Sequence, residues 1–144
     1  MSYFMVPRLL KRSSRSAIIN LSSVAYYTPG AMVPVYSAVK SFNFTLSQAM
    51  TQAYASDNID VMTVTPAACK SQMNSGRYIW SISAERHGKA VIDQLGWQAV
   101  TRGSVVHALQ PRINAIWPIG AIITHINGQR RAAWAAEQKA LTEK

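Results

Sequence analysis

The chain is poor in the residues on which several kinds of site depend. It has one cysteine, Cys69, which excludes an internal disulfide framework and any metal site built from several cysteines. Its three histidines, His87, His107 and His125, are too scattered in sequence for the usual short ligand spacings of zinc sites. The nucleophile elbow Gly-x-Ser-x-Gly, which a Ser-His-Asp hydrolase needs, is also absent. We therefore expect neither a disulfide scaffold nor serine-hydrolase chemistry.

Acidic residues are scarce as well. The chain has 6 Asp and Glu against 15 Lys and Arg, which gives a formal charge of +9. Such a balance suggests nucleic acid or an anionic membrane surface as a partner. The cations form no continuous stripe, so we expect no nucleic-acid partner and favour a basic surface that tolerates anionic ligands or lipid. The longest apolar segment, residues 113–126, is short for a membrane span and is interrupted by Pro118 and His125. We expect it to lie on a membrane or on a partner without crossing a bilayer.

What the chain does contain is enough apolar material for a core, with 49% apolar and 15% charged residues in 144. Apolar, β-branched runs predict three short strands, at 17–21, 59–65 and 103–109. Helical patterns occur at 4–12, 35–55, 84–95 (ending at Gly96) and 130–141. A loop with a Pro29-Gly30 turn pair covers 22–34, and 67–83 is predicted to be irregular or weakly helical. Strands alternating with helices predict an α/β fold with a parallel sheet.

Parallel sheets of this kind bind ligands outside the carboxyl ends of their strands. Small and polar residues gather at two of the predicted ends, Ser22-Ser23 and the segment 66–71. Because the first two predicted strands are β-branched and almost free of charge, we expect both to be buried on both faces of the sheet. The sequence therefore indicates a ligand-binding edge at the ends of the first two predicted strands.

Tyr36 and Lys40 form a Tyr-x-x-x-Lys pair near the start of the long helix. This spacing places both side chains on one helix face, roughly 6 Å apart at Cβ. An ammonium beside a phenol favours the phenolate and lowers the tyrosine pKa from about 10, so that a proton can be exchanged near neutral pH. Ser23, at the end of the preceding strand, is placed to donate to a carbonyl oxygen. Alone, a Tyr–Lys pair at this spacing is more typical of a solvated helix face, and only its context indicates chemistry.

That context, IINLSSVAYYTPGAMVPVYSAVKSFNFTLSQAM, resembles the catalytic segment of the short-chain dehydrogenase/reductase family. The resemblance implies a partial Rossmann-like fold, that is, a doubly wound parallel sheet. It implies that Tyr36 is the proton donor in carbonyl reduction, or the base in alcohol oxidation. It also implies that Lys40 holds the nicotinamide ribose hydroxyls and lowers the tyrosine pKa, and that Ser23 orients and polarises the substrate oxygen.

The family also has a Pro-Gly-x-Val-x-Thr pattern after the next strand. The matching residues here begin at Pro66 and end at Ser71, and Ala67 replaces the glycine. The resemblance implies that this segment binds the cofactor, NADP(H) or NAD(H). Cys69 would offer its backbone N–H to the nicotinamide carboxamide, and the hydroxyl of Ser71 would replace that of the usual threonine. Ala67 therefore departs from the family pattern within the segment that would make these cofactor contacts.

Within the family, YSAVKSF and the run HGKAVIDQLGWQAVTRGSVVHAL are similar to the branch of very-long-chain 3-oxoacyl-CoA reductases and 17β-hydroxysteroid dehydrogenases. This likeness implies NADPH-dependent interconversion of ketone and alcohol on a lipid-like 3-oxoacyl or steroid-like substrate. It also implies a location at the endoplasmic reticulum membrane surface, with the cytoplasm as the alternative. The apolar and basic tail from about residue 111 is compatible with peripheral membrane contact.

The resemblance covers only the C-terminal half of the family's fold, so we expect residues 1–144 to form a single partial domain. No Gly-x-x-x-Gly-x-Gly turn, which brings the cofactor pyrophosphate to a helix N-terminus, occurs among the 7 glycines. We therefore predict weak cofactor binding and negligible activity for the isolated chain. Strand 17–21 would present an unpaired edge and an uncovered apolar face, which a second chain carrying the glycine-rich half, or another copy, would cover. The alternative is a non-catalytic structural or interaction subunit that reuses the half-fold.

Overall fold

The computed structural model describes residues 2–27, 33–72, 80–114, 116 and 119–142. The first elements are helix α1 (Ser2–Leu10), strand β1 (Ser16–Leu21), a 3-10 turn (Val24–Tyr26), helix α2 (Pro34–Ala53) and strand β2 (Ile59–Val64). They are followed by β3 (Cys69–Lys70), β4 (Ile82–Ser83), α3 (Ala84–Ile92), β5 (Val100–Thr101), α4 (Val105–Asn114) and α5 (Ile119–Thr142). None of the described helices is both long enough and apolar enough to cross a membrane.

The main sheet has three parallel strands in the order β1-β2-β5. β1 pairs with β2 along its whole length, from Ser16 opposite Ile59 to Leu21 opposite Val64, whereas β5 adds only two residues. A second, two-stranded parallel sheet joins β3 to β4. Parallel strands linked through helices confirm the predicted α/β, Rossmann-like fold class.

Strand β2 is at the centre of the core because both of its faces are covered. One face packs against α1 and α2, and the buried side chains there are Val6, Met50, Ile59 and Val61. The other face packs against α3 through Met62, Val64 and Val91. Alternate residues of a strand point to opposite faces, so this short segment contributes to two separate hydrophobic clusters.

Strand β1 is covered on one face only, so the prediction that it is buried on both faces is wrong. Ser16 is buried, but Ala17, Ile19 and Leu21 point to the opposite face and are exposed, Leu21 to 58%. The reason is that α3 packs over β2, and no described element packs over this face of β1. An uncovered apolar face on an edge strand is what the resemblance to half of a larger sheet implied.

The predicted strand over 103–109 is also wrong. The strand lies earlier, as β5, and α4 occupies most of the predicted run. Ser104 provides the physical reason, because its Oγ accepts a hydrogen bond from the backbone N–H of His107 at 3.2 Å. This N-terminal cap, together with the packing of α4, outweighs the strand propensity of the two valines that follow Ser104.

The other predicted boundaries are close to those observed. The stretch 67–83, predicted to be irregular, contains the short strands β3 and β4. Helix α3 ends at Ile92, earlier than predicted, and Gly96 lies in the following turn with φ at +82°. The polar helix predicted at 130–141 is part of the longer α5. The Pro29-Gly30 turn lies outside the described residues.

Helix α2 carries an apolar stripe on its solvent side. The stripe consists of Val35, Val39, Phe42 and Leu46, which are exposed to between 39% and 75%. Their spacing places them on one face of the helix. This apolar surface is distinct from the uncovered face of β1.

Candidate functional site

Two residues of helix α2, Lys40 and Asn43, are hydrogen-bonded to the carboxyl end of β1. The Nζ of Lys40 donates to the carbonyl oxygen of Leu21 at 3.1 Å, and the backbone carbonyl of Lys40 accepts from the Oγ of Ser22 at 2.6 Å. Ser22 is almost fully buried. The ammonium and the backbone carbonyl of Lys40 are thus bonded to two adjacent residues, Leu21 and Ser22. The end of β1 therefore determines where the ammonium lies.

Tyr36 lies one helical turn before Lys40 on the same face of α2, as the spacing predicts. The Nζ of Lys40 is 5.5 Å from the centroid of the Tyr36 ring, within the range of a cation–π contact. Tyr36 is 46% exposed, so its phenol is accessible to a ligand. The structure therefore brings the predicted phenol and ammonium together.

Ser23 is buried at the point where β1 ends. Its Oγ accepts a hydrogen bond from the N–H of Ala25 at 3.2 Å and so caps the 3-10 turn. A hydroxyl that accepts at its oxygen still has its own hydrogen to donate. The next residue, Val24, donates its N–H to the carbonyl of Pro66 at 3.1 Å, which joins the ends of β1 and β2. Ser23 and Pro66 therefore belong to one edge of the sheet.

Aromatic stacking fixes the 3-10 turn against α2. The rings of Tyr26 and Phe44 stack with centroids 3.9 Å apart and an interplanar angle of 8°. The Oγ of Ser41 donates to the carbonyl of Tyr26 at 2.9 Å. These contacts hold Ser23 and the start of α2 in a fixed relation, because the turn that follows the serine cannot move without breaking them.

A cavity of about 460 Å³ opens at the carboxyl ends of β2 and β5. It is lined by residues that follow these strands, among them Thr65, Arg102 and Gly103, and by Tyr26 of the 3-10 turn. This is the edge at which parallel sheets bind ligands. The cavity therefore extends the candidate site from Tyr26 across the sheet.

The segment that the resemblance assigns to the cofactor is held by a histidine that the sequence analysis did not select. The Nδ1 of His107 accepts from the N–H of Ala67 at 3.4 Å, and its Nε2 lies 3.2 Å from the carbonyl of Ala68, to which it donates. His107 is fully buried, and this burial lowers its pKa, which favours the neutral ring. In the sequence, the position of His107 within the apolar run 103–109 was the only indication of this role.

The remaining predicted cofactor residues lie in or beside the second sheet. Cys69 begins β3, pairs with Ile82 and is half-buried, and burial raises the pKa of its thiol. Ser71 follows β3 and is exposed. Hydrogen bonds thus gather Ser23, Lys40 and Pro66 around the end of β1, whereas Cys69 and Ser71 are positioned by β3.

Comparison with known proteins identifies the family. The family described as short chain dehydrogenase matches residues 1–81, more than half of the chain. The chain belongs to the short-chain dehydrogenase family. The matched region contains Ser23, Tyr36, Lys40, Pro66 and Cys69.

Individual relatives and solved structures are similar to most of this chain. The chain is similar to the very-long-chain 3-oxoacyl-CoA reductase of Rattus norvegicus, with 34% identity over 115 residues, covering 78% of this chain and 36% of that protein. The enzyme of that name from Homo sapiens is 28% identical over 144 residues, covering 96% of this chain and 46% of that protein. A short-chain dehydrogenase from Sphingobium yanoikuyae in complex with NADPH has the same fold, with a TM-score of 0.62 at 20% identity, covering 93% of this chain and 50% of that one. This short-chain dehydrogenase chain thus spans half or less of the length of these proteins.

Proposed function

We propose that the chain is the catalytic half of an NADPH-dependent oxidoreductase that interconverts a ketone and an alcohol on a lipid-like 3-oxoacyl or steroid-like substrate. The observation that carries the proposal is the position of the Lys40 ammonium, between the Leu21 carbonyl and the ring of Tyr36. Family membership supplies the reaction class.

In this proposal Tyr36 transfers the proton. When the ketone is reduced, the phenolic O–H of Tyr36 gives its hydrogen to the carbonyl oxygen, and in the reverse direction the phenolate accepts the alcohol proton. Lys40 supplies the cation that lies beside the Tyr36 ring while the proton is transferred. An acid–base group in this position contributes about 10²–10⁴-fold to the rate.

Ser23 is the proposed orienting group for the substrate oxygen. Its burial and its capping bond to Ala25 fix the hydroxyl, while its O–H hydrogen is available to the ketone. A donor that is already oriented gains strength as negative charge develops on the oxygen. Ser23 would therefore polarise the carbonyl that Tyr36 protonates.

The residues present fit part of a nicotinamide cofactor. An ammonium has three N–H donors, and the Leu21 carbonyl takes one, so that Lys40 can also donate to ribose hydroxyls. Pro66, the backbone N–H of Cys69 and the Ser71 hydroxyl are the proposed contacts to the nicotinamide. The cofactor, when bound, supplies the hydride. With no glycine-rich turn in the sequence, we expect this chain alone to bind NADPH weakly.

The substrate class and the location rest on the relatives' names and on the resemblance to their branch. Two of these relatives are named very-long-chain 3-oxoacyl-CoA reductases, which supports a lipid-like ketone as the substrate. The proposed location is the endoplasmic reticulum membrane surface, reached through peripheral contact, for which the net charge of +9 is favourable. Cell fractionation followed by a high-salt wash tests this, since a peripheral basic protein is released by salt and a cytoplasmic one is never in the membrane pellet.

The proposed partner is a chain that carries the glycine-rich half. It would pair with the free edge of β1 and cover the exposed side chains of Ile19 and Leu21. The same uncovered face favours a second candidate function, a non-catalytic interaction subunit. A stable assembly that contains no nicotinamide cofactor would support this second function.

Titration with NADPH, followed by its fluorescence, tests the proposal directly. We expect no saturation at micromolar NADPH for the chain alone, and saturable binding once a glycine-rich half taken from the rat relative is added. Lys40→Met should lower the affinity of the reconstituted pair, whereas Lys89→Met, on the exposed side of α3, should not. Tight binding by the chain alone, or an affinity unaffected by Lys40→Met, would argue against this function.

A further inference from the structure

A second group of reactive side chains lies beside the candidate active site and shares Cys69 with it. Cys69 of β3, His87 of α3 and His107 of α4 converge so that the sulfur and one nitrogen of each imidazole all lie within 4.8 Å of one another. The ligand spacings known for zinc motifs do not reveal this group, because its members are far apart in sequence. The fold brings them together by joining three separate elements.

His87 gives the strongest indication that this group binds a ligand. It is only 8% exposed, yet neither of its ring nitrogens has a hydrogen-bond partner in the described part of the chain. A buried polar group without a partner loses its bonds to water and gains none in exchange, so such groups are rare and need an explanation. A ligand that accepts a nitrogen lone pair of His87 would supply one.

The position of the His87 ring is set by Gly103. This glycine has φ at +75°, and a Cβ built on it would lie 2.7 Å from the Nδ1 of His87. The absence of a side chain at 103 therefore lets the ring lie directly against the backbone. From there it faces His107, with the two ring centroids 5.4 Å apart.

We propose that Cys69, His87 and His107 bind one zinc ion. Thiolate sulfur and imidazole nitrogen are the ligands that zinc prefers, and magnesium and calcium prefer oxygen. The ligand atoms of a tetrahedral zinc site lie roughly 3.4–3.7 Å apart, so the observed group needs to contract by no more than roughly 1.4 Å.

The protons and charges of zinc binding can be accounted for in full. The thiol of Cys69 releases its proton to solvent and its sulfur forms the S–Zn bond, while each imidazole binds through a deprotonated nitrogen. Burial lowers the pKa of both histidines, which keeps the rings neutral as zinc requires. One thiolate and two neutral rings leave a net charge of +1 and a fourth position open to water.

The surroundings of His107 supply the support that zinc ligands usually have. A ligating histidine normally donates its second ring N–H to a carbonyl or carboxylate. His107 has backbone partners at both nitrogens, and its bond to Ala67, at 3.4 Å, is the longer and so the easier to exchange for a metal. The ion would link β3 to both α3 and α4. This site uses the Cys69 side chain, whereas the proposed reductase function uses the backbone N–H of that residue.

The first test uses the unmodified, untagged chain. Because Cys69 is the only cysteine, its alkylation by N-ethylmaleimide reports on this site alone. We expect one equivalent of zinc to slow alkylation at least about tenfold, because a metal-bound thiolate is not free to react, and we expect EDTA to restore the rate. Magnesium should have no effect. An alkylation rate that is the same with and without zinc would overturn the proposal.

The second test identifies the ligands with Co²⁺ as a spectroscopic probe. One equivalent should give a thiolate-to-cobalt charge-transfer band together with the intense visible bands of tetrahedral cobalt. Cys69→Ser should abolish the charge-transfer band, and His87→Gln should weaken Co²⁺ binding by more than about 100-fold. The control is His125→Gln, since His125 is exposed on α5 and bonds to Gln129. Loss of the bands in His125→Gln, or their retention in Cys69→Ser, would place the metal elsewhere and contradict the assignment.

Discussion

The Nζ of Lys40 donates a 3.1 Å hydrogen bond to the carbonyl oxygen of Leu21, the last residue of β1. The parallel register of β1 on β2 therefore fixes the cation that lies beside Tyr36. This bond and the one from Ser22 to the Lys40 carbonyl couple a core strand to a candidate catalytic group.

Ser22→Ala should destabilise the fold by about 1 kcal/mol. The substitution removes the 2.6 Å bond from the Ser22 hydroxyl to the Lys40 carbonyl and leaves that acceptor without its buried donor. Urea unfolding followed by circular dichroism measures the loss. Ser13→Ala, at an exposed position, is the matched control and should change stability by less than about 0.5 kcal/mol. Equal midpoints for the two variants would show that the Ser22 bond does not contribute.

Replacing two glycines by alanine should have opposite effects. Gly103→Ala places a Cβ against the ring of His87 at a residue with positive φ, so we expect a loss of at least about 1 kcal/mol. Gly88→Ala lies in α3 with open space around the new methyl, and should stabilise the fold by about 0.5–1 kcal/mol. Thermal unfolding of both variants tests the pair. If Gly103→Ala proved as stable as the parent chain, the close approach of His87 would be refuted.

Met62→Ala should cost about 2–5 kcal/mol. Met62 is 1% exposed at the centre of β2, and truncation leaves a cavity between the sheet and α3. Ile92→Ala, on the exposed side of α3, is the control and should cost less than about 1 kcal/mol. Denaturant titration distinguishes them, and similar losses at both positions would mean that β2 is not the centre of the core.

Leu21→Lys should make the isolated chain less prone to associate while leaving its unfolding midpoint nearly unchanged. Leu21 is 58% exposed on the uncovered face of β1, and a charge on an edge strand opposes pairing with another chain. Light scattering against protein concentration measures the effect. The same charge at Phe42, on the stripe of α2, is the control. A larger drop with Phe42→Lys than with Leu21→Lys would assign self-association to α2 instead.

The order of the first elements, from α1 to β2, was predictable because it depends on local patterns. The β-branched runs at β1 and β2 and the glycine-free α2 indicated a parallel α/β sheet, and the Tyr36–Lys40 spacing placed both groups on one helix face. These features depend on periodicity within one element, which a sequence displays directly.

Features that depend on contacts between distant elements could not be predicted. The packing of α4, in addition to its local cap at Ser104, replaced an expected strand by a helix, and the one-sided burial of β1 depends on where α3 packs. The convergence of His87 and His107 is likewise a result of tertiary packing, because no spacing rule links them. The sequence therefore indicated Ser23, Tyr36 and Lys40 as candidate site residues. It did not indicate that His107 holds the neighbouring segment 67–68.

Proton transfer by Tyr36 can be measured as turnover of a 3-oxoacyl-CoA by the chain reconstituted with a glycine-rich half. We predict that Tyr36→Phe lowers kcat by about 10²-fold or more while the pair still binds NADPH. Tyr54→Phe, at the opposite end of α2, should retain the parent rate. A reconstituted Tyr36→Phe pair that reduced the ketone as fast as the parent would contradict the account.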